Sequence, residues 1–382
     1  MKSVLFCASR ASHIINFHLP YIEYFKNIGY NVDVAAQGKI EDVRIDNCFD
    51  LKFTKNPLST DNIGTIFALK KILANGKYDI VCSNTTLAGV AARAAVMLMK
   101  GKKPYLVHIS HGYMFSEHGG IKSKIYLMCE KLTSKPVNSL VVMNDEDYRL
   151  AEKYHLGKNL HYIYGMGVNK EKFPPLPYKK TDLIRTEQFT ADNNSFVILC
   201  VGEFSARKNQ ALLIEAFAEL SRIHKNLILV FAGEGNKLEE CKSLVMKYEL
   251  GGKVKFAGQV DDVNALYRSC DLLVSASKME GLPFNIMEAL MCGLPVIASD
   301  IKGHRDLIQN NKNGFLFEKD NASELVKIAD KVISNNELYT YIKSNTYLPQ
   351  EYFIENAKPE LLKILDKNYV DVEKKLHTAG KE

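Results

Sequence analysis

The sequence predicts an α/β protein of two doubly wound, Rossmann-like domains facing across a cleft. Three observations predict it. At 382 residues the chain is long for one core and comfortable for two. Short apolar runs alternate with helical stretches at the spacing of βαβ units, which build parallel sheets. A stretch dense in Pro and Gly, G-M-G-V-N-K-E-K-F-P-P-L-P-Y at Gly165–Tyr178, interrupts the pattern, which then restarts. The expected domains are residues 1–175 and 176–350. Residues 351–382 supply a terminal helix that packs back on the first domain.

In the first domain Lys2–Cys7 reads as a strand, followed by a small polar cluster at Ala8–Ser12 and a helix from about His18 to Lys26. Gly29-Tyr30 closes that helix, and Val32–Ala36 is the second strand. Strand–helix pairs follow: Leu51–Phe53 with Ile63–Leu73, Ile80–Ser83 with Leu87–Met99, and Tyr105–Ile109 with Lys122–Leu132. Ser139–Met143, the helix Glu146–Tyr154 and Leu160–Tyr164 complete the set. Beyond the hinge lies a polar stretch with one short helix, then Phe196–Val201, the amphipathic helix Gln210–Ile223, Leu227–Ala232 and the helix Leu238–Tyr248. Val254–Ala257, a short helix Val263–Ser269, Leu272–Ser275, Pro295–Ser299 and Gly314–Phe317 continue the alternation. Helices Ser323–Ile333, Glu337–Asn345 and Tyr352–Lys367 end the chain.

With 46% hydrophobic and 25% charged residues, the composition is that of an ordinary globular protein. No apolar run reaches the roughly eighteen residues of a membrane span. The N-terminal M-K-S-V-L-F-C reads as a strand, because its apolar part is too short for a signal peptide. Eight scattered cysteines without a C-x-x-C suggest reduced thiols in a cytoplasmic protein. Charge is uneven: residues 1–175 hold 23 Lys and Arg against 15 Asp and Glu, while the remainder holds 27 against 29. The basic half suits an acidic partner or an anionic membrane surface, or is simply a lysine-rich solvated face.

The chemistry centres on Ser277–Cys292, S-K-M-E-G-L-P-F-N-I-M-E-A-L-M-C. Glu280 sits in a loop after a strand, and Glu288 sits in the first turns of the next helix. Pro283 is compatible with a helix start. Helix N-termini seat phosphate, while carboxylates accept hydrogen bonds from sugar hydroxyls. Together they suggest a nucleotide sugar. The turn Gly202-Glu203-Phe204-Ser205-Ala206-Arg207-Lys208-Asn209 lacks the P-loop pattern, yet Arg207 and Lys208 ahead of a helix can neutralise a diphosphate. The alternative is two solvated cations. No glycine fingerprint follows the first strand, which argues against a dehydrogenase. Asp145-Glu146-Asp147 fits D-x-D, but Asn144 or Asp145 reads better as a helix cap with acids in the first turn. His111 in Ser110-His111-Gly112-Tyr113 ends a strand, where ligands of α/β folds bind, with His118, Gly119 and Gly120 close behind. A structural histidine is the competing reading. Gly303-His304-Arg305-Asp306 is read as a cap.

These segments together resemble the retaining family 4 glycosyltransferases of GT-B fold. E-G-L-P-F-N-I-M-E-A-L-M-C-G-L-P-V-I-A-S-D at residues 280–300 is similar to the family's E-x7-E signature. V-G-E-F-S-A-R-K-N, F-A-G-E-G, V-K-F-A-G, K-G-H-R-D-L-I and N-G-F-L-F resemble other family segments. S-H-G-Y-M-F, N-D-E-D-Y and G-V-N-K-E-K-F are similar to a subgroup that builds bacterial capsular polysaccharide and exopolysaccharide. The resemblance implies that Glu288 binds the ribose hydroxyls and Glu280 the donor-sugar hydroxyls. It implies that the backbone of Gly281, Leu282, Pro283, Phe284 and Asn285 faces the sugar and diphosphate. Lys208 pairs with the diphosphate beside Gly202, and His111 sits at the reacting sugar. Two departures stand out. Glu203 occupies the family's usual arginine position, leaving Arg207 as candidate substitute, and the residues Arg10–Asn16 replace a Gly-Gly loop.

The implied activity is transfer of a hexosyl unit, with retention, from a nucleotide sugar (UDP-linked by expectation) to a lipid-linked glycan. No metal or other cofactor is expected, and no nucleic acid. The enzyme is expected to be cytoplasmic, held peripherally at the inner face of the membrane by anionic lipid. The competing readings are a nucleotide-sugar epimerase of the same fold and a non-catalytic sugar-binding subunit.

Overall fold

A computed structural model describes residues 1–54, 59–117, 119–192 and 194–370, with 178 and 179 described by backbone alone. The chain divides into two compact units. The first comprises Met1–Gly167 and the chain from Ile354 onward, and the second is Val168–Phe353. The divisions therefore fall at 167/168 and 353/354, where 175/176 and 350/351 were expected.

In chain order the first unit contains β1 (Ser3–Cys7), α1 (Ala11–Phe17), α2 (Leu19–Asn27), β2 (Asn31–Ala36), β3 (Asn47–Asp50), α3 (Thr60–Gly76) and β4 (Ile80–Asn84). It continues with α4 (Thr86–Met97), β5 (Tyr105–Ile109), α5 (Ile121–Thr133), β6 (Ser139–Val142), α6 (Asp145–Tyr154) and β7 (Asn159–Tyr162). Its strands form one sheet in the order β3-β2-β1-β4-β5-β6-β7, every neighbouring pair parallel. Strand order reverses between β1 and β4, so their carboxyl ends open a crevice at the switch point. β1 and β4 are buried along their whole length, as expected of central strands covered on both faces.

The second unit contains α7 (Tyr178–Leu183), β8 (Phe196–Val201), α8 (Gln210–Ile223), β9 (Leu227–Ala232), α9 (Leu238–Lys247), β10 (Val254–Phe256), α10 (Val263–Arg268) and β11 (Leu272–Ser275). It then has α11 (Phe284–Met291), β12 (Val296–Ser299), α12 (His304–Leu307), β13 (Gly314–Phe317), α13 (Ala322–Ser334) and α14 (Asn336–Ser344). Its parallel sheet runs β10-β9-β8-β11-β12-β13, with the reversal between β8 and β11. Leu213, Phe217 and Leu220 on one face of α8 join Leu229, Phe231, Val274 and Leu325 in the core. α15 (Ile354–Leu365) returns to the first unit, where Tyr24 donates its hydroxyl to Asp366 at 3.0 Å and stacks obliquely on Tyr369.

Two local expectations need correction. Residues Ala11–Phe17 form a helix, where a polar cluster and a loop at Arg10–Asn16 were read. No side chain caps it, but the Ala11 N–H reaches the Gln37 carbonyl at 2.8 Å, so tertiary contact supplies what the sequence does not signal. The third strand is Asn47–Asp50 and not Leu51–Phe53. Its Asn47 amide donates to Asp33 at 2.9 Å and the Val32 N–H donates to Asp46 at 2.7 Å, a polar registration that hydrophobic periodicity does not reveal.

Candidate functional site

At the β8/β11 switch point, Gly202 leaves β8 with φ +149, a conformation open to glycine. A Cβ there would sit 3.0 Å from the Lys208 side chain, so glycine also makes room for that lysine. Phe204 anchors the following loop in the core, its N–H donating to the Glu234 carbonyl at 2.8 Å. The Arg207 carbonyl accepts from the Lys278 N–H at 2.8 Å, which ties this loop to the one after β11.

The loops thereby deliver both cations to one carboxylate. Arg207 Nη1 donates to Glu280 Oε2 at 2.6 Å and to the Met279 carbonyl at 3.1 Å, while Lys208 Nζ lies 2.8 Å from Glu280 Oε1. Burial by itself raises the Glu280 pKa, but Lys208 and then Arg207 outweigh it and hold the carboxyl down at about 2. Lys208 is 13% exposed and Arg207 is 43% exposed, so Arg207 is the cation that solvent or ligand reaches first. The sequence placed Arg207 and Lys208 at the diphosphate and Glu280 at the donor sugar. The structure brings them together as one ion cluster.

α11 begins directly beyond Glu280. Its Met287 N–H closes the first turn on the Pro283 carbonyl at 3.3 Å, and the amides before it project toward the crevice end of the helix. Among the predicted backbone donors, Pro283 has no N–H to offer. The Asn285 side chain donates to the Val201 carbonyl at 3.0 Å, clamping the helix start to the end of β8. One turn further along α11, Glu288 accepts from the Tyr267 hydroxyl at 2.9 Å. Burial pushes the Glu288 carboxyl up to about 7, with the Tyr267 hydrogen bond and Lys172 only partly offsetting it.

His304 was assigned no role beyond its place in a cap. The cap exists, since the Gly303 N–H donates to Asp306 at 3.0 Å. His304 itself is fully buried, with Nδ1 2.7 Å from the Ser299 carbonyl and Nε2 3.5 Å from the Ser275 hydroxyl. Burial lowers its pKa to about 4, against the opposing field of Glu280. The signal was the glycine before it: Gly303 has φ +77, and a Cβ there would meet the Gly281 carbonyl oxygen at 2.2 Å.

In the first unit His111 follows β5 near its own sheet's switch point. Its Nε2 lies 3.1 Å from His13 Nε2 on α1 and 3.4 Å from Asn84 Oδ1 at the end of β4. Asn84 is oriented by its amide, which donates to the Cys7 carbonyl at 3.3 Å and the Cys82 carbonyl at 3.4 Å. Burial holds the His111 pKa well below the ordinary value, and the neighbouring His13, His18 and His108 push the same way. His13 and His18 were not singled out from the sequence, because a turn without glycine gave no signal. His118 lies outside the described residues. The D-x-D match is structural: Asn144 caps α6 by accepting from the Asp147 N–H at 2.8 Å, and buried Asp147 accepts from the Tyr113 N–H at 2.9 Å.

Residues 184–348 match the family described as Glycosyl transferases group 1, and residues 3–144 match Glycosyl transferase 4-like. The chain is 33% identical over 340 residues to the Bacillus subtilis protein EpsD, named as a glycosyltransferase, covering 88% of this chain and 89% of that one. The chain belongs to the family 4-like glycosyltransferases. This glycosyltransferase is also 29% identical over 282 residues to an Escherichia coli UDP-Gal:alpha-D-GlcNAc-diphosphoundecaprenol alpha-1,3-galactosyltransferase, covering 71% of each chain. Its fold matches that of Anabaena Alr3699/HepE, solved in complex with UDP and glucose, with a TM-score of 0.75 at 20% identity over 96% of this chain and 99% of that one. The fold is therefore GT-B, two parallel-sheet Rossmann-like units. No helix among the glycosyltransferase's described residues is long and apolar enough to cross a membrane.

Proposed function

We propose that this glycosyltransferase moves a hexosyl unit, with retention, from a UDP-linked sugar to a lipid-diphosphate-linked glycan during assembly of a cell-surface polysaccharide, capsular or secreted. The observation that carries the reading is the Glu280 carboxylate held between Lys208 and Arg207 at the carboxyl ends of β8 and β11. Support for donor and acceptor class comes from the galactosyltransferase relative, whose name specifies both UDP-Gal and a diphosphoundecaprenol acceptor.

In this reading Glu280, kept ionised, accepts hydrogen bonds from the donor sugar's hydroxyls, and Glu288 accepts from the ribose. Charge builds on the diphosphate as the glycosidic bond breaks. Lys208, Arg207 and the N-terminal end of α11 are placed to stabilise it, so no metal is assigned to the diphosphate. Arg207, the more exposed cation, can turn from Glu280 to a phosphate while Lys208 remains the carboxylate's counter-ion. The leaving phosphate accepts the acceptor's proton on the same face. His111 contributes from the first unit at the reacting sugar. The two glutamates bind the donor and form no acid–nucleophile pair.

Peripheral attachment to anionic lipid fits the basic first unit. Ile121, Met128 and Leu132 stand 80%, 53% and 65% exposed along α5, flanked by exposed Lys122, Lys124, Lys131 and Lys135. Apolar side chains with lysines at their margin are the composition of an interfacial helix.

The deciding experiment measures UDP release from a panel of UDP-sugars with and without a lipid-diphosphate glycan. Acceptor-dependent release that falls about 100-fold or more in Lys208→Ala supports the proposal. Sugar interconversion without acceptor would instead identify an epimerase. Undiminished biological function of Glu280→Gln and Lys208→Ala would identify a non-catalytic subunit.

A further inference from the structure

The first unit gathers three histidines whose arrangement the transfer reaction does not explain. His13 lies on α1, His18 joins α1 to α2, and His111 follows β5. One nitrogen from each ring lies within 4.8 Å of the others. The ring centroids are 4.4 Å apart for His13 and His111, 5.3 Å for His13 and His18, and 5.9 Å for His18 and His111. His18 is the telling member. It is fully buried, and neither of its ring nitrogens has a hydrogen-bond partner. Buried polar groups are ordinarily paired, so an imidazole with both nitrogens unpaired beside two others needs a reason.

We infer that His13, His18 and His111 together bind one divalent transition-metal ion of the zinc class. Nitrogens sharing a tetrahedral ion at about 2.0–2.1 Å lie about 3.4 Å from one another. The 3.1 Å separation of His13 Nε2 and His111 Nε2 already matches that span. A shift of His18 on the order of 1 Å completes the triangle within ordinary side-chain rotation. Three imidazoles without a carboxylate select zinc, cobalt, nickel or copper over magnesium and calcium. The rings are in the form a metal requires, since burial disfavours protonation of all three. The proton between His13 and His111 moves to the Nδ1 of its own ring, so capture of the ion needs no net proton release. His13 and His111 are partly exposed, so an ion can reach the cluster from their side.

The ion fastens α1 to the end of β5 and occupies His111. Zinc therefore inhibits transfer. That consequence, and not the binding itself, rests on the role proposed above for His111.

The test titrates metal-free, reduced full-length protein with Zn2+ alone, then with Mg2+, and reads bound metal per chain and melting temperature. The expected result is one Zn2+ per chain and a raised melting temperature, with no response to Mg2+. His13→Gln weakens zinc binding about tenfold or more, and so does His18→Asn. His13 is partly exposed, so its variant remains informative if the buried His18 variant fails to fold. A far-UV circular dichroism spectrum and a metal-free melting transition matching those of the unsubstituted protein confirm that each variant is folded. Co2+ gives the visible absorption of a four-coordinate nitrogen site without thiolate charge transfer. Zinc binding that survives in His13→Gln, less than half an equivalent bound, or a thiolate band from the cysteines overturns the site. Full transfer activity at saturating zinc overturns the inhibition alone. Absence of transfer with every donor and acceptor tried defeats the proposed function and leaves the binding result intact.

Discussion

Glu280 and Glu288 are the same side chain in opposite electrostatic settings, and pH separates them. Glu280, held near 2 by Lys208 and Arg207, stays ionised through the neutral range. Its contribution to stability is present above its ordinary value of 4.5 and is lost only as pH falls toward 2. Glu288 is raised to about 7, so the folded state binds its proton more tightly than the unfolded chain does. That contribution is greatest below 4.5 and disappears as pH climbs through 7. In the proposed ribose contact a diol donating to Glu288 favours the ionised form, so UDP binding is expected to release a proton. Calorimetry is therefore expected to show UDP affinity rising between pH 6 and pH 8. Glu288→Gln flattens that dependence, and an unchanged slope would remove Glu288 from the ribose contact. Arg207 and Lys208 also separate. Arg207→Ala, the more exposed cation, is expected to lower kcat with Glu280 still paired to Lys208. Lys208→Ala leaves the buried Glu280 carboxylate with only the more exposed Arg207 beside it, and is expected to lower both the melting temperature and kcat. Equal melting temperatures for the two variants would contradict this.

At the scale of the element, the loop between β12 and α12 passes so close to the Glu280 loop that residue 303 cannot carry a side chain. Gly303→Ala combines φ +77 with a Cβ 2.2 Å from the Gly281 carbonyl. It is expected to cost about 1–3 kcal/mol and to weaken UDP binding by displacing the Glu280 loop. Gly251→Ala, with nothing within 4 Å of its Cβ, is the neutral comparison in denaturant unfolding. Elements of this kind also mark what the sequence could disclose. The alternation of buried strands with amphipathic helices, such as Leu227–Ala232 after Gln210–Ile223, announces itself through periodicity. Glu280, Glu288, Lys208 and His111 were legible because strand ends and helix starts concentrate them. The Glu280 ion cluster was not, because it joins loops some 70 residues apart in sequence, through the Lys278–Arg207 backbone contact. Helix α1 hid for a related reason. It has neither a side-chain cap nor a regular apolar stripe, and its place is set by the Gln37 carbonyl and by the His111 ring set edge-on to His13.

For the whole molecule, charge and exposed apolar surface coincide in the first unit. Vesicles of anionic lipid are expected to sediment the protein at low salt and release it as ionic strength rises. Ile121→Asp with Leu132→Asp abolishes sedimentation while leaving UDP stabilisation intact. Salt-independent binding, or binding unaffected by that pair, would contradict attachment through α5.

The first unit is closed by α15, which follows the whole of Val168–Phe353 in the chain. During synthesis the middle of the polypeptide can therefore finish folding before the beginning does. The early sheet must wait, with Tyr24 and its neighbours uncovered, until Asp366 and Tyr369 emerge from the ribosome. A protein truncated before Ile354 loses the closing seam of its oldest part, and a chaperone is expected to linger on that seam for the time the ribosome takes to translate the intervening unit.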